Sequence, residues 1–362
     1  MFDFHLPTFE RHAMLNSRSR LLRSLLAACG LAGSLWANAA SLVSADSPGA
    51  PGAPAIERDA KSSSADLHHG AVVVNGVKLH YVEGGEGSKG DPILLIPGWP
   101  ESWYAWRFVM PRLIAEGHPV VALDLRGMGD SDHPPEGYDS KTISADIHAF
   151  VAAKGLAKKG NLHVAGHDVG AWMAYAYAAD WPREVRTLTV MEAALPGITP
   201  PAPAGIPGDD ANLKSWHFAF NRLPDLPEIL VQGHERAYLG WLFAQKSVKR
   251  EVFTTEALDE YTRVFAQPGG ARAAFNYYRA AFSDTGLQQN RLRAATPLTI
   301  PVLAIGGQHS VGAGMEKTMR LVATDVQGAT LPGVGHFVLE ESPGEVAAQL
   351  NAFMRKTPRP SD

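Results

Sequence analysis

The segment that most constrains this chain is Leu162 to Tyr177, LHVAGHDVGAWMAYAY. Leu162 to Ala165 is short, apolar and bounded by small residues, as a buried strand is. Ala171 to Ala179 is rich in Ala, Met and aromatic residues, as a buried helix is. Between them Gly166-His167-Asp168-Val169-Gly170 places small residues two before and two after a central Asp. A chain that turns from strand to helix this sharply has no room for larger side chains at those two places. The turn lifts the Asp168 carboxylate above the sheet. It also leaves the Val169 N–H at a helix N-terminus, where negative charge is stabilised. A carboxylate presented in this way can attack an electrophilic carbon and form an ester. A tight turn with a capping Asp has the same local sequence, so the choice falls to residues further along.

A covalent ester must be hydrolysed, which requires a base to activate water. His336 follows the last expected strand in Pro332-Gly333-Val334-Gly335-His336, on a loop loosened by glycine. The His needs an orienting carboxylate. The loop after the strand Ile300 to Ile305 reads Gly306-Gly307-Gln308-His309-Ser310 and holds no acid before Glu316. Glu192, at the end of the strand Val185 to Met191, is therefore the expected partner, since an acid at the C-terminal end of a strand can reach the site. The order nucleophile, acid, His along the chain is that of the α/β-hydrolase fold. Attack by Asp on an ester would give an anhydride. An sp³ carbon, in an epoxide or an alkyl halide, is the better electrophile. An epoxide oxygen needs donors as its C–O bond breaks.

The remaining pattern supplies a frame for these residues. Ala71 to Val74 and Val77 to Glu83 flank Asn75-Gly76 and predict a hairpin. Strands are expected at Ile93 to Ile96, Pro119 to Leu123 and Val326 to Leu331. Helices are expected at Trp103 to Ala115, Ser140 to Ala153 (capped by Ser140), Met315 to Thr324 and Ser342 to Lys356. Alternating strands and helices predict a doubly wound, mostly parallel sheet. From about Leu195 to Ala295 only aromatic-rich helical stretches occur, which predicts a helical cap inserted in the α/β core. Phe218, Phe220, Trp241 and Phe275 suggest an apolar pocket there. The expected division is 1–39, 40–66, a core in 67–194 and 296–358, and a cap in 195–295. Gly127-Met128-Gly129 lacks the third glycine of a dinucleotide fingerprint, because Asp132 stands in its place.

Of 362 residues, 45% are hydrophobic, enough for one large core, and the formal net charge of -4 speaks against a nucleic-acid surface. Cys29 is the only cysteine, which excludes a disulfide framework and a Cys-based metal site. It lies in a segment that reads as a signal peptide. Arg18, Arg20 and Arg23 precede the apolar Ser24 to Trp36, and Ala37-Asn38-Ala39 offers a small-x-small cleavage site. Met14 could equally serve as the start. Ser41 to Asp66 reads as a flexible leader. Export, with no stable membrane insertion after cleavage near Ala39, is the expectation.

These motifs together resemble the α/β-hydrolase epoxide hydrolases, and within them the secreted bacterial, Cif-like branch. The resemblance covers roughly Leu67 to Lys356. It is carried by Gly98-Trp99-Pro100 with Trp103-Tyr104-x-Trp106, His167-Asp168-x-Gly170, Met191-Glu192-Ala193, Trp216-His217-Phe218, Phe275-x-Tyr277-Tyr278-Arg279-Ala280 and Leu331-Pro332-Gly333-x-Gly335-His336. It implies an eight-stranded, mostly parallel sheet flanked by helices. It also implies Asp168 as nucleophile, His336 as base and Glu192 as its partner. His217 and Tyr278 would bind the epoxide oxygen, Tyr278 rather than Tyr277 because it precedes Arg279. The N–H groups of Trp99 and Val169 would form the oxyanion hole, and Phe218 and Phe275 would line the pocket. The expected partner is a small-molecule epoxide. No cofactor, metal or nucleic acid is implied, and a homodimer stays open. Pro97 stands where the family usually has His, and Val169 where it often has Trp. A dehalogenase of the same fold is the alternative, and a non-catalytic secreted binding protein a more distant one.

Overall fold

The computed structural model describes residues 66–158, 160–201 and 205–357. The expected signal peptide, and the leader except Asp66, lie outside the described residues. The eight strands are β1 (His68–Val74), β2 (Val77–Gly84), β3 (Ile93–Ile96), β4 (Val120–Leu123), β5 (Leu162–His167), β6 (Val185–Met191), β7 (Val302–Gly307) and β8 (Val326–Leu331). They form one sheet in the order β1-β2-β4-β3-β5-β6-β7-β8. β2 is antiparallel to both β1 and β4, and all later neighbours are parallel. Asn75 and Gly76 close the first hairpin with φ of 50° and 77°, the left-handed pair that suits a two-residue turn.

Alternation along the central strands divides the core into two layers. Leu94 and Ile96 of β3 face one side, Ile93 and Leu95 the other. On the first side lie α2 (Ser140–Lys154), α3 (Val169–Asp180) and α10 (Gly314–Met319). On the second lie α1 (Met110–Ala115), α11 (Val338–Glu341) and α12 (Pro343–Lys356). α3 is buried from Val169 to Ala178, as its apolar circumference requires, because the sheet covers one face and helices the rest.

Between β6 and β7 the described residues form helices and no strand: α4 (Asp209–Phe220), α5 (Leu226–Val231), α6 (Glu235–Lys246), α7 (Thr255–Phe265), α8 (Gly270–Ala281) and α9 (Asp284–Ala294). This is the inserted cap. α8 is pinned to the core where the Tyr277 hydroxyl donates to the Arg126 carbonyl at 2.7 Å. Arg126 is fixed in turn by Asp146, whose carboxylate accepts from its Nε at 2.6 Å. No helix among the described residues is long and apolar enough to cross a membrane.

Several element boundaries differ from the sequence expectation, each for a local reason. Trp103 to Ala115 is not one helix. A short 3-10 turn spans Trp103–Trp106, and α1 restarts at Met110 with Pro111 in its first turn, where a missing N–H costs nothing. Asp139, not Ser140, caps α2, accepting from the N–H groups of Lys141 and Thr142. β7 begins at Val302 because Pro301 cannot donate to a ladder. α10 stops at Met319, and the chain after it pairs with Leu298, whose N–H donates to Val322 O and whose carbonyl accepts from Thr324 N–H. The terminal helix is interrupted at Ser342, as a residue before proline tends to be.

The strand–helix turn after β5 fixes how closely these layers meet. A Cβ on Gly166 would lie 2.3 Å from the Gly170 carbonyl oxygen, and one on Gly170 would lie 2.3 Å from that of Pro97. Both obstacles are backbone, so no side chain can give way. Gly170→Ala is therefore expected to destabilise the protein by about 1–3 kcal/mol, the usual range for overpacking. Urea unfolding measures it. An unchanged midpoint would show that β3 and the start of α3 have slack that the geometry denies.

Candidate active site

The elbow holds Asp168 at φ 49° and ψ -121°, a region that side-chain-bearing residues rarely enter. Its N–H donates to Met191 O at 2.9 Å, and its Oδ1 accepts from the Trp99 N–H at 3.1 Å. Val169 opens α3, so its N–H stands at the helix N-terminus beside the carboxylate. Burial alone would raise the Asp168 pKa. His336, His167 and Lys246 outweigh it and hold the group well below the usual carboxylate range. A buried, ionised oxygen with little water around it is a reactive nucleophile.

His336 approaches from the loop after β8. Its Nε2 is 3.4 Å from Asp168 Oδ2, and its Nδ1 is 3.0 Å from Glu192 Oε2. Both partners are carboxylates, which only accept; the nearer one, Glu192, orients Nδ1 as the proton-bearing nitrogen and leaves Nε2 facing Asp168. Glu192 leaves β6 with a positive φ of 58°, which turns its side chain into the site. Its Oε1 accepts from the Gly307 N–H at 2.6 Å. The glycine-rich end of β7 thus holds an acid supplied by β6. A Cβ at Gly307 would lie 2.0 Å from the Gly335 carbonyl, so this close approach requires glycine. Glu316 lies elsewhere, paired with Arg320 at 2.6 Å.

The cap supplies the opposite wall. His217 of α4 stacks on Trp99 with ring centroids 5.9 Å apart, and Tyr278 of α8 meets Trp99 edge-on at 5.1 Å. The two cap rings are themselves 5.7 Å apart. The Tyr278 hydroxyl and His217 Nδ1 are buried and have no hydrogen-bond partner. Burial and the Asp168 charge push the Tyr278 pKa well up, so it stays a neutral donor. Burial, then Lys246, push that of His217 far down, so its ring is neutral. Tyr277 points instead to Arg126, one residue away on the helix and on a different face. Phe218, half-buried, packs 4.3 Å from His217. Phe275, buried, faces Trp99 among Phe220, Tyr238 and Phe265. Trp241 does not line this space: it is 44% exposed and packs outward on Trp216.

Sequence reasoning missed three charged groups here. His167 is buried with acceptors at both nitrogens, Glu101 Oε2 at 2.9 Å from Nδ1 and His336 O at 2.9 Å from Nε2. Satisfying both requires a proton on each. Burial opposes that charge, but Glu101 outweighs it and raises the pKa to about 9. Lys246, at the end of α6, places Nζ 3.3 Å from His217 Nε2. His167 was legible as a motif residue and Glu101 as a neighbour of Pro100, but nothing local distinguishes Lys246. A groove of about 780 Å³ between α2 and α9, lined by Asp180, Trp181, Gln289 and Leu292 among others, holds no candidate residue. Chemistry rather than volume locates the site. Among the described residues no group of three or more His, Cys, Asp or Glu is arranged to hold a metal ion.

The profile of the alpha/beta hydrolase family matches residues 93–349. A soluble epoxide hydrolase of Corynebacterium sp. (strain C12) is 35% identical over 282 residues, covering 77% of this chain and 94% of that protein. The structure of wild-type Cfl2 from Burkholderia cenocepacia superposes with a TM-score of 0.75 at 42% identity, covering 80% of this chain and 96% of that one. That of the Cif epoxide hydrolase from Acinetobacter nosocomialis gives 0.71 at 30% identity, covering 79% and 88%.

The His167–Glu101 pair makes stability depend on pH. A His whose folded pKa is raised contributes stability that is complete below its unfolded value, near 6.5, and is lost as pH rises through its folded value, about 9. Stability is therefore expected to fall from about pH 6.5 to about 8 in the parent protein, above which the lowered Lys246 pKa acts in the opposite direction. Glu101→Gln should remove that dependence while lowering stability at neutral pH. Denaturant midpoints from pH 6 to 10, on the order of one unit apart, test it; identical slopes in both proteins would refute the buried imidazolium.

Proposed function

The chain belongs to the alpha/beta hydrolase family, and on that premise we propose that it hydrolyses an epoxide to a vicinal diol through an ester on Asp168. The observation that carries this is the pair of buried, unpartnered donors, Tyr278 Oη and His217 Nδ1, set across from an ionised carboxylate. Two donors without a protein acceptor fit an incoming oxygen. Asp168 attacks the less hindered carbon, the C–O bond breaks toward these donors, and the N–H groups of Trp99 and Val169 hold the ester oxygen afterwards. His336 Nε2 then takes a proton from water, which attacks the ester carbonyl, while Glu192 steadies the imidazolium through Nδ1. Phe218 and Phe275 favour an apolar substituent on the epoxide. The resemblance of relatives described as epoxide hydrolases supports the same reading.

A dehalogenase remains the second reading, on one observation: Trp99 Nε1 is buried without a partner and could donate to a halide. The two readings differ in what the cap must supply. A halide leaves as a stable anion, whereas an epoxide oxygen develops charge that needs donors.

With an epoxide, His336→Gln is expected to form a stable Asp168 adduct, detectable as added mass on the intact protein, because ester hydrolysis and not its formation needs the base. Glu192→Gln should slow hydrolysis far more than Glu316→Gln. Tyr278→Phe should slow adduct formation by roughly 10²–10³, the usual loss for one such donor. Tyr277→Phe should leave the rate near that of the parent and cost about 1 kcal/mol of stability, since its hydroxyl serves Arg126. Unchanged adduct formation in Tyr278→Phe, together with halide release from a bromoalkane, would replace the epoxide reading with the dehalogenase.

We propose further that the chain is exported, on the strength of the basic, apolar and small-residue order of residues 18–39. Expression with its N-terminus intact in a bacterial host should then yield a mature protein beginning at Ala40. An unprocessed N-terminus would refute this.

A further inference from the structure

Lys246 is a charged group in the site, paired with no carboxylate among the described residues, to which the proposed mechanism gives no task. It ends α6, a position where the helix favours a cation. Its backbone is fixed, because Lys246 O accepts from the His336 N–H at 2.9 Å. Its Nζ lies within ion-pairing distance of no carboxylate among the described residues. Its hydrogen-bond partner there is His217 Nε2, at 3.3 Å. An ammonium has only donors, so Nε2 must be the accepting nitrogen of the neutral ring. The His217 proton is therefore on Nδ1, the buried nitrogen that has no partner. Lys246, His217 and the space in front of Asp168 thus form a line of donors in one direction.

We infer that Lys246 is the acid of ring opening, delivering its proton through His217 to the oxygen of the opened epoxide. The inference rests on the epoxide reading and deepens it. The step balances as follows. Asp168 Oδ bonds to the epoxide carbon, and the C–O electron pair passes to oxygen. That oxygen takes the Nδ1 proton of His217, and Nε2 takes a proton from the Lys246 ammonium. The products are an Asp168 ester, an alcohol, a neutral amine and a neutral imidazole protonated on Nε2. In the second half-reaction His336 gains a proton from water, and exchange with solvent after product release restores Lys246 and His217. Lys246 does not touch the substrate in this scheme, so it is a positioning and relay residue acting through His217.

The charges around Lys246 time this transfer. His217 faces it from α4, the charges of Asp168 at the elbow and Glu192 at the end of β6 act on it, and the His336 N–H of the base loop binds its carbonyl. Glu341 of α11 lies behind, its Oε2 accepting from the N–H groups of Gly335, Val248 and Lys249. Burial lowers the Lys246 pKa to about 8, while Asp168 and Glu192 act in the opposite sense. Ester formation removes the Asp168 charge. The ammonium thus becomes more acidic as the alkoxide appears, which a fixed hydrogen-bond donor cannot reproduce.

The test uses the full chain carrying His336→Gln, in which the adduct is retained, and styrene oxide as the probe. Single-turnover adduct formation is followed by rapid quench and intact mass. The rate should be level at neutral pH and fall above about 8 as the ammonium is lost. Adding Lys246→Met should lower the neutral-pH rate by about 10² or more and flatten the alkaline limb, the scale of general-acid catalysis. Lys246→Arg keeps a charged donor to Nε2 but does not release a proton, so it should stay slow and also lack that limb. Full recovery in Lys246→Arg would mean that charge alone matters and would overturn the relay. So would a rate in Lys246→Met within about threefold of its parent, or a parent profile with no alkaline limb. If Lys246→Met does not fold, the parent profile and Lys246→Arg still decide. An absence of any adduct in the parent would refute the epoxide reading itself, and this inference with it.

Discussion

A buried, ionised carboxylate is the constraint on which the rest of this structure depends. Isolating such a charge from water is costly unless other charges and donors surround it. Asp168 is supplied with the Trp99 N–H, the His336 ring, the His167 charge and the more distant Lys246 charge. Each of these needs support of its own. Glu101 compensates His167, Glu192 orients His336, and the Gly307 N–H holds Glu192. The result is a network of charges and donors whose members come from six separate places in the chain. Removing one member leaves its neighbours unpaired, so catalytic competence and stability are coupled here.

The cap is tied to this network rather than simply resting on it. Glu341 Oε2 accepts from Gly335, just before the base, and from Val248 and Lys249, just after α6. One carboxylate therefore fixes both the loop that carries His336 and the end of the helix that carries Lys246. Glu340, beside it, accepts from both guanidinium nitrogens of Arg107 at 2.6 and 2.8 Å and from the Tyr261 hydroxyl of α7. α8 adds a third tie through Tyr277 and Arg126. These contacts hold the aromatic wall of His217, Tyr278 and Phe275 against Trp99. They set the distance between the oxygen-binding donors and the nucleophile.

The two halves of the proposed reaction make opposite demands on the same space. Attack needs an anion opposite neutral donors, and hydrolysis needs a base beside a neutral ester. Neutral Tyr278 and neutral His217 meet the first demand because burial opposes charge on both. Glu192 meets the second by holding the His336 ring through Nδ1 so that Nε2 faces the site. Different burial and different neighbours thus give two histidines in one site separate tasks.

What the sequence by itself determined was mostly local and periodic. The elbow, the hairpin at Asn75-Gly76, β3, β6 and β8, and the strandless block between β6 and β7 follow from turn chemistry and hydrophobic pattern, which act over a few residues. Prolines at 111, 301 and 343 stand at the moved boundaries, Pro301 by removing a ladder donor, Pro111 by suiting a first helical turn and Pro343 by restricting the residue before it, a signal that was present but outweighed by apolar spacing. The preference for Glu192 came from the lack of an acid after β7. Only the tertiary structure showed why, since Gly306 and Gly307 must lie against the backbones of Gly312 and Gly335. It also showed that Tyr277 serves Arg126 while Tyr278 faces Trp99, and turned Trp241 out of the pocket. It brought Lys246 beside His217, and Glu101 beside His167. None of these pairings has a local signature, because each depends on where a distant backbone passes and not on what its neighbours in sequence are.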